Sequence, residues 1–434
     1  MSDTHFSRQE SFVSYETRSF ELQLDPIRLE CGVQLPRLPM RGWWAGPRSD
    51  LRALGDAGVV LEADDPAHIS TVPQPYLKER DDGGVHRGHS VELDSRVPTV
   101  LVVHALTSDA RVGGPGGWWD AMVGEGRPLD PTKCRILCFN NLGSCYGSFA
   151  PTFEDFPLRS SEPRWDFPSS GKGRFDSNHG RLPATVTTWD QARAILLALD
   201  HLGIRSIRLG LGGSLGGMIT MCLGALDARR FDVISPAATA MSASPWVIGW
   251  NHIARRLIVE SPGFPDEAKR PLELARAIAH MTYRNDDGLS RTQGRRQVEQ
   301  HGQWHSRAAY GVQTYLEHQG TKLETRYHAA SYVSQLDAMD HHDIFRAPPA
   351  PEAHESWREF HPEQEVFERF DTRTICIGMT DDRLFGLEHM REFATRLQEA
   401  GMEADFHELP TRDGHDGFLL EHRAIGDIYR EILY

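Results

Sequence analysis

Basic residues are fewer than acidic residues in this sequence. Its 434 residues include 47 Lys and Arg against 61 Asp and Glu, a formal net charge of −14 with a pI near 5.8. This balance argues against a broad nucleic-acid-binding face, although it is compatible with a local basic patch for a phosphorylated cofactor. With 39% hydrophobic and 25% charged residues, the composition is that of an ordinary soluble globular chain and excludes a disordered or collagen-like one.

Long apolar runs and export signals are also missing. No stretch approaches the roughly 20 apolar residues that a membrane-spanning helix needs, and the polar start of the chain lacks the pattern of a secretory signal. Six cysteines are therefore expected to be reduced and buried, in preference to a disulfide framework. Cys134 and Cys138 lie in a strand-like run without the C-x2-C spacing of zinc sites. We expect a cytoplasmic protein with no metal site and no membrane contact.

Short apolar runs that alternate with helical stretches begin at Pro98. This alternation is typical of a largely parallel α/β sheet. The first ninety or so residues show little periodicity, and we assign no chemistry to them. The predicted strands are residues 98–104, 134–140, 206–212, 372–379 and 404–410.

Two amphipathic helices are predicted between these runs. Thr188 is expected to cap the first, with Gln191 completing a capping box and Gly203 ending it. The second covers residues 388–400 and is closed by Gly401. Both apolar stripes are interpreted as core faces.

The motif Gly-Gly-Ser-Leu-Gly at 212–216 is the strongest chemical signal in the chain. A strand is predicted to enter it and a helix to leave it, which is the setting of a nucleophile elbow in the α/β-hydrolase fold. Ser214 then lies at a strained turn, where the flanking glycines allow close packing. The amides at the start of the next helix favour developing negative charge. We therefore predict that Ser214 is a nucleophile, in preference to a residue of a mere tight turn.

A serine hydroxyl needs a base and an acid that orients the base. In this fold both follow the serine, with the acid before the histidine. His415 fits the base because its loop follows the last predicted strand, whereas most of the 21 histidines are expected to be surface or structural. The acid is Asp381 or Asp382, directly after the strand at 372–379, and spacing does not choose between them.

The tetrahedral intermediate of acyl transfer needs two backbone N–H donors. One is expected from Leu215, the residue after the nucleophile. The other is expected from the loop 104–107, where Leu106 is the predicted donor.

The pattern predicts an α/β-hydrolase fold, a mostly parallel central sheet with a helical lid insertion. Residues 246–345 have few strand signals and are expected to be mostly helical, while 346–360 is proline-rich and charged, typical of an exposed connection. The predicted units are an N-terminal region of uncertain role at 1–94 that partly joins the sheet, a core at 95–245 and 368–434, and a helical lid at 246–367.

Ordered segments between about residue 95 and the C-terminus resemble the homoserine O-acetyltransferase family, α/β-hydrolase relatives that transfer acyl groups instead of hydrolysing them. Their number and order make the resemblance much more specific than the serine elbow alone. The segments are HALTSDARVGG (104–114), GWWDAMVGEGRPLD (117–130), NNLGSCYGS (140–148), GGSLGGM (212–218), LARAIAHMTYR (274–284), YLEHQGTKLETRY (315–327), TDDRLF (380–385) and GHDGFLLE (414–421).

The resemblance implies a role for each triad position. Ser214 becomes the acylated nucleophile and His415 the base. The acid becomes Asp382, because the family's acidic residue stands two positions before Leu-Phe, here Leu384-Phe385.

The resemblance also implies an acceptor site. Arg276 and Tyr283 match lid positions that the family uses there, and Asp416 matches the residue that holds the acceptor amine. A guanidinium pairs with a carboxylate and an aspartate with an ammonium, so an amino acid would be bound at both ends. Without the resemblance, Arg276 would be interpreted as a solvated helix residue.

This sequence departs from the family pattern at several places. Leu215 stands where the family has Met, and Ser144 stands where it has a second glycine. The family's Arg-Phe-Asp-Ala-Asn-Ser-Tyr is RYHAASY at 326–332. The triad is intact, but these changes leave the acceptor open. Extra sequence occurs near residues 43–95, 151–183 and 346–367.

The expected activity is ping-pong O-acylation of the hydroxyl of an amino acid, most simply homoserine. The co-substrate is acetyl-CoA or another acyl-CoA, with no tightly bound cofactor. Alternatives are an O-acyltransferase for L-serine or a specialised metabolite, or a serine esterase or thioesterase with the same triad. A binding protein without activity is disfavoured because all three triad positions are present. Family analogy also predicts a homodimer formed through the helical lid.

Overall fold

The computed structural model of the protein describes residues 14–35, 37–63, 91, 93–150, 185–264, 268–297, 310–346 and 363–434. The extra sequence expected at 151–183 lies outside these residues, as does the connection expected at 346–360 except for Arg346.

Nine strands of the described chain form one mixed sheet in the order β11-β10-β9-β8-β6-β7-β4-β1-β5. The six from β6 to β11 are mutually parallel, and β4, β1 and β5 continue the sheet in antiparallel pairing. All five predicted strands are confirmed. The strands are β1 (Tyr15–Leu24), β4 (Leu38–Pro47), β5 (Val60–Ala63), β6 (Thr99–Val103), β7 (Arg135–Phe139), β8 (Leu209–Gly213), β9 (Val233–Ala237), β10 (Arg373–Met379) and β11 (Ala404–Leu409), beside a separate hairpin of β2 (Ile27–Arg28) and β3 (Gln34–Leu35).

Strand β9 is a central strand that the sequence pattern did not predict. It is only five residues long and contains Pro236, which cannot donate to a ladder and normally argues against a central strand. Pro236 pairs in register with Gly212 of β8, and the strand lies between β8 and β10. The mostly parallel α/β-hydrolase sheet is therefore present with one more parallel strand than expected.

Twelve helices accompany the sheet in the described ranges. The helix that Thr188 is predicted to cap begins one residue earlier than predicted. The twelve helices have the bounds given next. They are α1 (Arg48–Asp56), α2 (Thr188–His201), α3 (Leu215–Asp227), α4 (Pro245–Val259), α5 (Lys269–Tyr283), α6 (Asp286–Thr292), α7 (Gly311–Glu324), α8 (Ala329–Asp340), α9 (Glu363–Phe367), α10 (Glu388–Glu399), α11 (Gly417–Leu420) and α12 (His422–Leu433).

The predicted cap of α2 was wrong by one position. Thr187 is the N-cap, and Asp190, not Gln191, completes the capping box. Thr188 is instead fully buried, and its hydroxyl forms a hydrogen bond with Nδ1 of His342 at 2.9 Å. Two adjacent threonines can each cap a helix, and this interior partner decides which one does.

The helix ends and the lid agree with the sequence pattern. Gly203 and Gly401 follow α2 and α10 with φ of 70° and 83°, the left-handed conformation that glycine adopts without penalty. Helices α4 to α8 occupy residues 245–340 and supply the mostly helical segment that was expected. This helical segment is called the lid below.

Apolar side chains pack on both faces of the parallel strands. In β6, Leu101 and Val103 enter one core cluster, while Val100 and Val102 enter the other. This two-sided burial is typical of parallel strands that helices cover on both faces. All six cysteines are free, as expected, and four are buried, but the prediction of burial was wrong for Cys31, which is exposed, and Cys145 is only partly buried. Within the described ranges, none of the helices has the length and apolar character needed to cross a membrane.

We expect Gly216→Ala to destabilise the fold although alanine is the better helix former. A Cβ at Gly216 would lie 2.2 Å from the carbonyl oxygen of Val103. Such overpacking should lower the free energy of unfolding by about 2–3 kcal/mol. Thermal or denaturant unfolding measures the change. In the control Gly55→Ala the new Cβ meets only one side-chain atom, at 3.8 Å, so a small gain is expected. Equal stability of the two variants would contradict the prediction.

Candidate active site

The candidate site lies where parallel strands end at one edge of the sheet. The loop 104–107 follows β6, Ser214 follows β8, Asp382 follows β10 and His415 follows β11. Because these strands are parallel, their carboxyl ends meet at the same edge, where ligands bind in open α/β sheets.

Ser214 adopts the strained turn that the motif predicts. Its φ of 57° and ψ of −125° are unusual for a residue with a side chain. The Ser214 amide donates to the Ala237 carbonyl at 3.0 Å, which anchors the turn to β9. The residue is 5% exposed. These features are those of a nucleophile elbow.

Glycines around the turn allow the backbone to pack this closely. A Cβ at Gly212 would lie 2.4 Å from the Gly216 oxygen, and one at Gly217 would lie 2.7 Å from a methyl carbon of Thr239. Side chains at these positions would push α3 away from β8 and β9. The glycines that the sequence analysis singled out are thus required by contact.

His415 pairs with Asp382. Nδ1 of His415 lies 2.8 Å from Oδ2 of Asp382, and both side chains are buried. The other oxygen, Oδ1, accepts hydrogen bonds from the amides of Leu384 and Phe385 at 2.8 and 2.9 Å. The carboxylate is therefore fixed. Because it accepts the proton on Nδ1, the imidazole keeps the tautomer whose Nε2 is unprotonated and can act as a base.

Asp381, the alternative acid, does not occupy this position. Its side chain is exposed, and its φ of 57° gives it a turn conformation that aspartate tolerates. Local spacing could not distinguish the two aspartates because the direction of each side chain depends on how β10 ends.

The pKa of His415 is raised above its ordinary value. Burial lowers it, but the Asp382 carboxylate, through charge and hydrogen bond, and the charge of Asp416 outweigh the burial. Three aromatic rings surround the imidazole with centroid distances of 5.3–5.5 Å; they belong to Tyr283, Phe385 and Phe418. The base thus lies in an apolar enclosure, where an opposite charge has its greatest effect.

Packing through Phe418 links Ser214 to His415. No hydrogen bond joins the two side chains among the described residues. Gly213, which precedes the serine, lies against the ring of Phe418; a Cβ there would be 2.2 Å from that ring. The same ring lies 5.3 Å from the His415 ring. Hydrogen bonds between catalytic groups often tighten only when substrate binds.

The two predicted oxyanion donors lie on adjoining backbone segments. Neither the Leu106 amide nor the Leu215 amide donates to an acceptor in the described part of the chain. Leu215 opens α3, whose Gly216 packs against the carbonyls of Val103 and His104 at the end of β6. Both amides are thus available for an oxyanion.

His104 holds the loop that carries Leu106. Its Nδ1 lies 2.8 Å from the Ala105 oxygen, and its Nε2 accepts from the Asn141 amide at 3.0 Å. Burial lowers the pKa of His104 to about 4, so the ring is neutral and these roles are fixed. The Asn141 side chain also donates to the His104 oxygen at 3.1 Å. Sequence reasoning gave His104 only as part of the loop.

The three predicted acceptor-binding residues surround the base. The ring of Tyr283 lies 5.5 Å from that of His415, and the Arg276 guanidinium lies 5.5 Å from the centre of the Tyr283 ring. Asp416 follows His415 directly. Burial raises the pKa of Asp416, against the lowering effect of His415, Arg276 and Arg284. Arg276 and Tyr283 come from the lid and Asp416 from the loop of His415, and the charges of both Arg276 and Asp416 act on the Tyr283 hydroxyl.

An ion-pair network that the sequence analysis missed ties the lid to the loop of His415. Arg284 Nη2 lies 2.5 Å from Asp413 and its Nη1 lies 3.7 Å from Asp416, while Arg291 lies 2.9 Å from Asp413. These partners are more than 120 residues apart in sequence. The signal available was the placement of Asp413 and Asp416 on either side of His415.

Comparison with known proteins gives the family. The profile of the alpha/beta hydrolase fold matches residues 98–403. A curated homoserine O-acetyltransferase of Moorella thermoacetica is 31% identical over 348 residues, which cover 77% of this chain and 85% of that protein. The chain belongs to the homoserine O-acetyltransferase family of the α/β hydrolases. The resemblance inferred from the sequence is confirmed.

Solved structures show the same fold. A crystal structure of homoserine O-acetyltransferase from Bacillus anthracis has a TM-score of 0.69 at 15% identity and covers 96% of this chain and 97% of that one. Esterase E22 has a TM-score of 0.67 at 13% identity, with coverage of 97% and 100%. The fold by itself therefore does not separate transfer from hydrolysis.

The raised pKa of His415 predicts the acid limb of the pH–rate profile. The base works only when neutral, so acylation should fall as the pH drops through a pKa above 6.5. Because the Asp416 carboxylate helps to raise this pKa, Asp416→Asn should move the limb to lower pH. The rate of acylation by p-nitrophenyl acetate, which needs no acceptor, measures it.

Asp381→Asn is the matched control, because this neighbouring carboxylate is exposed and outside the enclosure. Its profile should coincide with that of the unaltered protein. The prediction would be contradicted if the acid limb of Asp416→Asn stayed at the same pH or moved to higher pH.

Proposed function

We propose that this protein is an acyl-CoA-dependent homoserine O-acetyltransferase with Ser214, His415 and Asp382 as its triad. The observation that carries the proposal is the buried 2.8 Å pair of His415 and Asp382 beside a strained serine elbow, in a chain 31% identical to an enzyme of that name. The acyl group enters from acetyl-CoA, used as a co-substrate.

The first half-reaction acylates the serine. His415 Nε2 takes the proton of Ser214 Oγ, and Oγ bonds to the thioester carbonyl carbon. The amides of Leu106 and Leu215 stabilise the resulting oxyanion. When the oxyanion collapses, the carbon–sulfur bond breaks and His415 returns the proton to the CoA thiolate.

The second half-reaction transfers the acyl group. The acceptor hydroxyl gives its proton to His415 and bonds to the acyl carbon, and the Ser214 ester bond then breaks as Oγ regains the proton. The O-acyl amino acid leaves. Transfer needs an acceptor that outcompetes water, so an enclosed site with a held acceptor is essential.

Arg276 and Asp416 are proposed to hold the acceptor. Arg276 forms no ion pair within the described residues, and its guanidinium is half-buried beside the Tyr283 ring. It can therefore pair with the carboxylate of an amino acid. Asp416 can pair with the ammonium group. L-serine and specialised metabolites carry the same two groups, and an esterase would need neither.

Release of CoA from acetyl-CoA should depend on an amino-acid acceptor. Homoserine should accelerate steady release, with L-serine as the alternative to be screened. Arg276→Gln should raise the KM for homoserine by about 30-fold or more, because a charged hydrogen-bonded pair is lost. A thiol-reactive dye measures the released CoA.

Arg270→Gln is the control for Arg276→Gln. Arg270 lies on the same helix, but it is exposed and pairs with Glu273 at 2.8 Å, so its loss should leave KM unchanged. Steady release of CoA without an amino acid would indicate a hydrolase and overturn the proposal.

We further propose a homodimer formed through α4 and α5 of the lid. Six of the nine exposed large hydrophobic residues that the described chain contains lie on these two helices. Clustering of this kind marks interaction sites on soluble proteins. The six are Trp246 (55% exposed), Ile248 (38%), Ile253 (47%), Leu257 (37%), Leu274 (43%) and Met281 (48%).

Leu257→Glu should convert the dimer to a monomer, because a charge would be buried in an apolar interface. Sedimentation velocity should then give half the mass found for the unaltered chain. Val60→Glu changes an apolar residue that is more exposed than Leu257, at 56%, on edge strand β5, where it should leave the mass unchanged. A monomer without any substitution would refute the proposal.

A further inference from the structure

Two consecutive lid residues hold two consecutive carbonyls of the oxyanion loop. Arg326 and Tyr327 lie between α7 and α8. Nη1 of Arg326 donates to the Thr107 oxygen at 2.7 Å, and the Tyr327 hydroxyl donates to the Leu106 oxygen at 3.1 Å. This pair is called the lid clamp below.

The clamp completes the restraint of the peptides around Leu106. Because a peptide unit is planar, fixing its carbonyl also fixes the direction of the next N–H. The Ala105 carbonyl, whose peptide carries the Leu106 N–H, is held by His104 Nδ1 at 2.8 Å and by the Ser108 amide at 3.2 Å. The following carbonyl, that of Leu106, is held by Tyr327. Both peptides that flank Leu106 are thus restrained.

The clamp residues are themselves held in place. The Tyr327 ring contacts the rings of Tyr146 and Tyr332 edge-on at 5.5 and 6.2 Å, and it is 4% exposed. Arg326 Nη1 also donates to the Tyr146 hydroxyl at 2.6 Å. Burial raises the pKa of Tyr327 well above its ordinary value, so its hydroxyl stays a donor.

We propose that Arg326 and Tyr327 are positioning residues that fix the two peptides after Leu106. The Leu106 N–H, on the preceding peptide that His104 holds, then keeps its direction toward the oxyanion, and acylation depends on the seated lid. This rests on the proposed function, with Ser214 as nucleophile. The clamp contacts neither serine nor base, so it acts through the loop.

Tyr327→Phe removes one donor and keeps the ring. We expect acylation of Ser214 by acetyl-CoA, measured as the pre-steady-state burst of CoA, to slow by about tenfold, which is less than the loss of a direct oxyanion donor. The affinity for a boronic acid that forms a tetrahedral adduct on Ser214 should weaken by the same factor. The acetyl-CoA concentration that gives a half-maximal burst rate and the acid limb of the pH profile should not move, because substrate binding and the base are unaffected.

Tyr429→Phe is the matched control. Tyr429 is a buried tyrosine whose hydroxyl accepts from Ser235 at 3.4 Å, and no hydrogen bond found in the described ranges joins it to the loop 104–107. Its burst rate and boronate affinity should match those of the unaltered protein. If Tyr327→Phe does not fold at the assay temperature, Arg326→Gln frees the Thr107 carbonyl with Tyr327 in place and should show the same parallel loss.

A clamp variant with an unaltered burst rate would overturn the inference. So would a variant whose burst slows only because a higher acetyl-CoA concentration is needed for its half-maximal rate. Ser214→Ala separates this failure from failure of the proposed function. If Ser214→Ala gives no burst while the clamp variants behave normally, only the clamp is wrong. If Ser214→Ala still gives a full burst, the proposed function itself fails.

Discussion

The positive φ of Ser214 can exist only because the neighbouring backbones come close enough to hold it. Gly212 and Gly216 provide that closeness, and the Ser214 amide bonds to Ala237 of β9. The turn lifts the hydroxyl away from the sheet and leaves the Leu215 amide without an internal acceptor. The proposed nucleophile and half of the proposed oxyanion hole thus depend on one strained residue.

The base depends on a second constraint, burial with compensation. An imidazole enclosed by aromatic rings tends to be neutral, which suits a base but weakens it. Asp382 restores its basicity, and two backbone amides fix the Asp382 carboxylate. A buried carboxylate without such donors would be costly. The loop after β10 therefore supplies the hydrogen-bond donors that the Asp382 carboxylate needs, and the carboxylate in turn orients the His415 ring.

The lid contacts both halves of this machinery. At the base, Arg284 pairs with Asp413, and the Tyr283 carbonyl lies so near Gly414 that a Cβ there would be 2.9 Å away. At the oxyanion loop, Arg326 and Tyr327 hold two carbonyls. A lid attached at both points can exclude water while it positions the catalytic groups, and transfer differs from hydrolysis in this requirement.

The sequence by itself determined the α/β class, the family, the serine elbow and the histidine, because these follow from short segments whose spacing is local. It left Asp381 and Asp382 equivalent until the family pattern was considered, put the cap of α2 at Thr188 and missed β9. Only the tertiary structure decided these points and joined Arg284 to Asp413 and Tyr327 to Leu106. Each depends on a partner more than 100 residues away or on the direction of one side chain, and linear spacing carries no information about either.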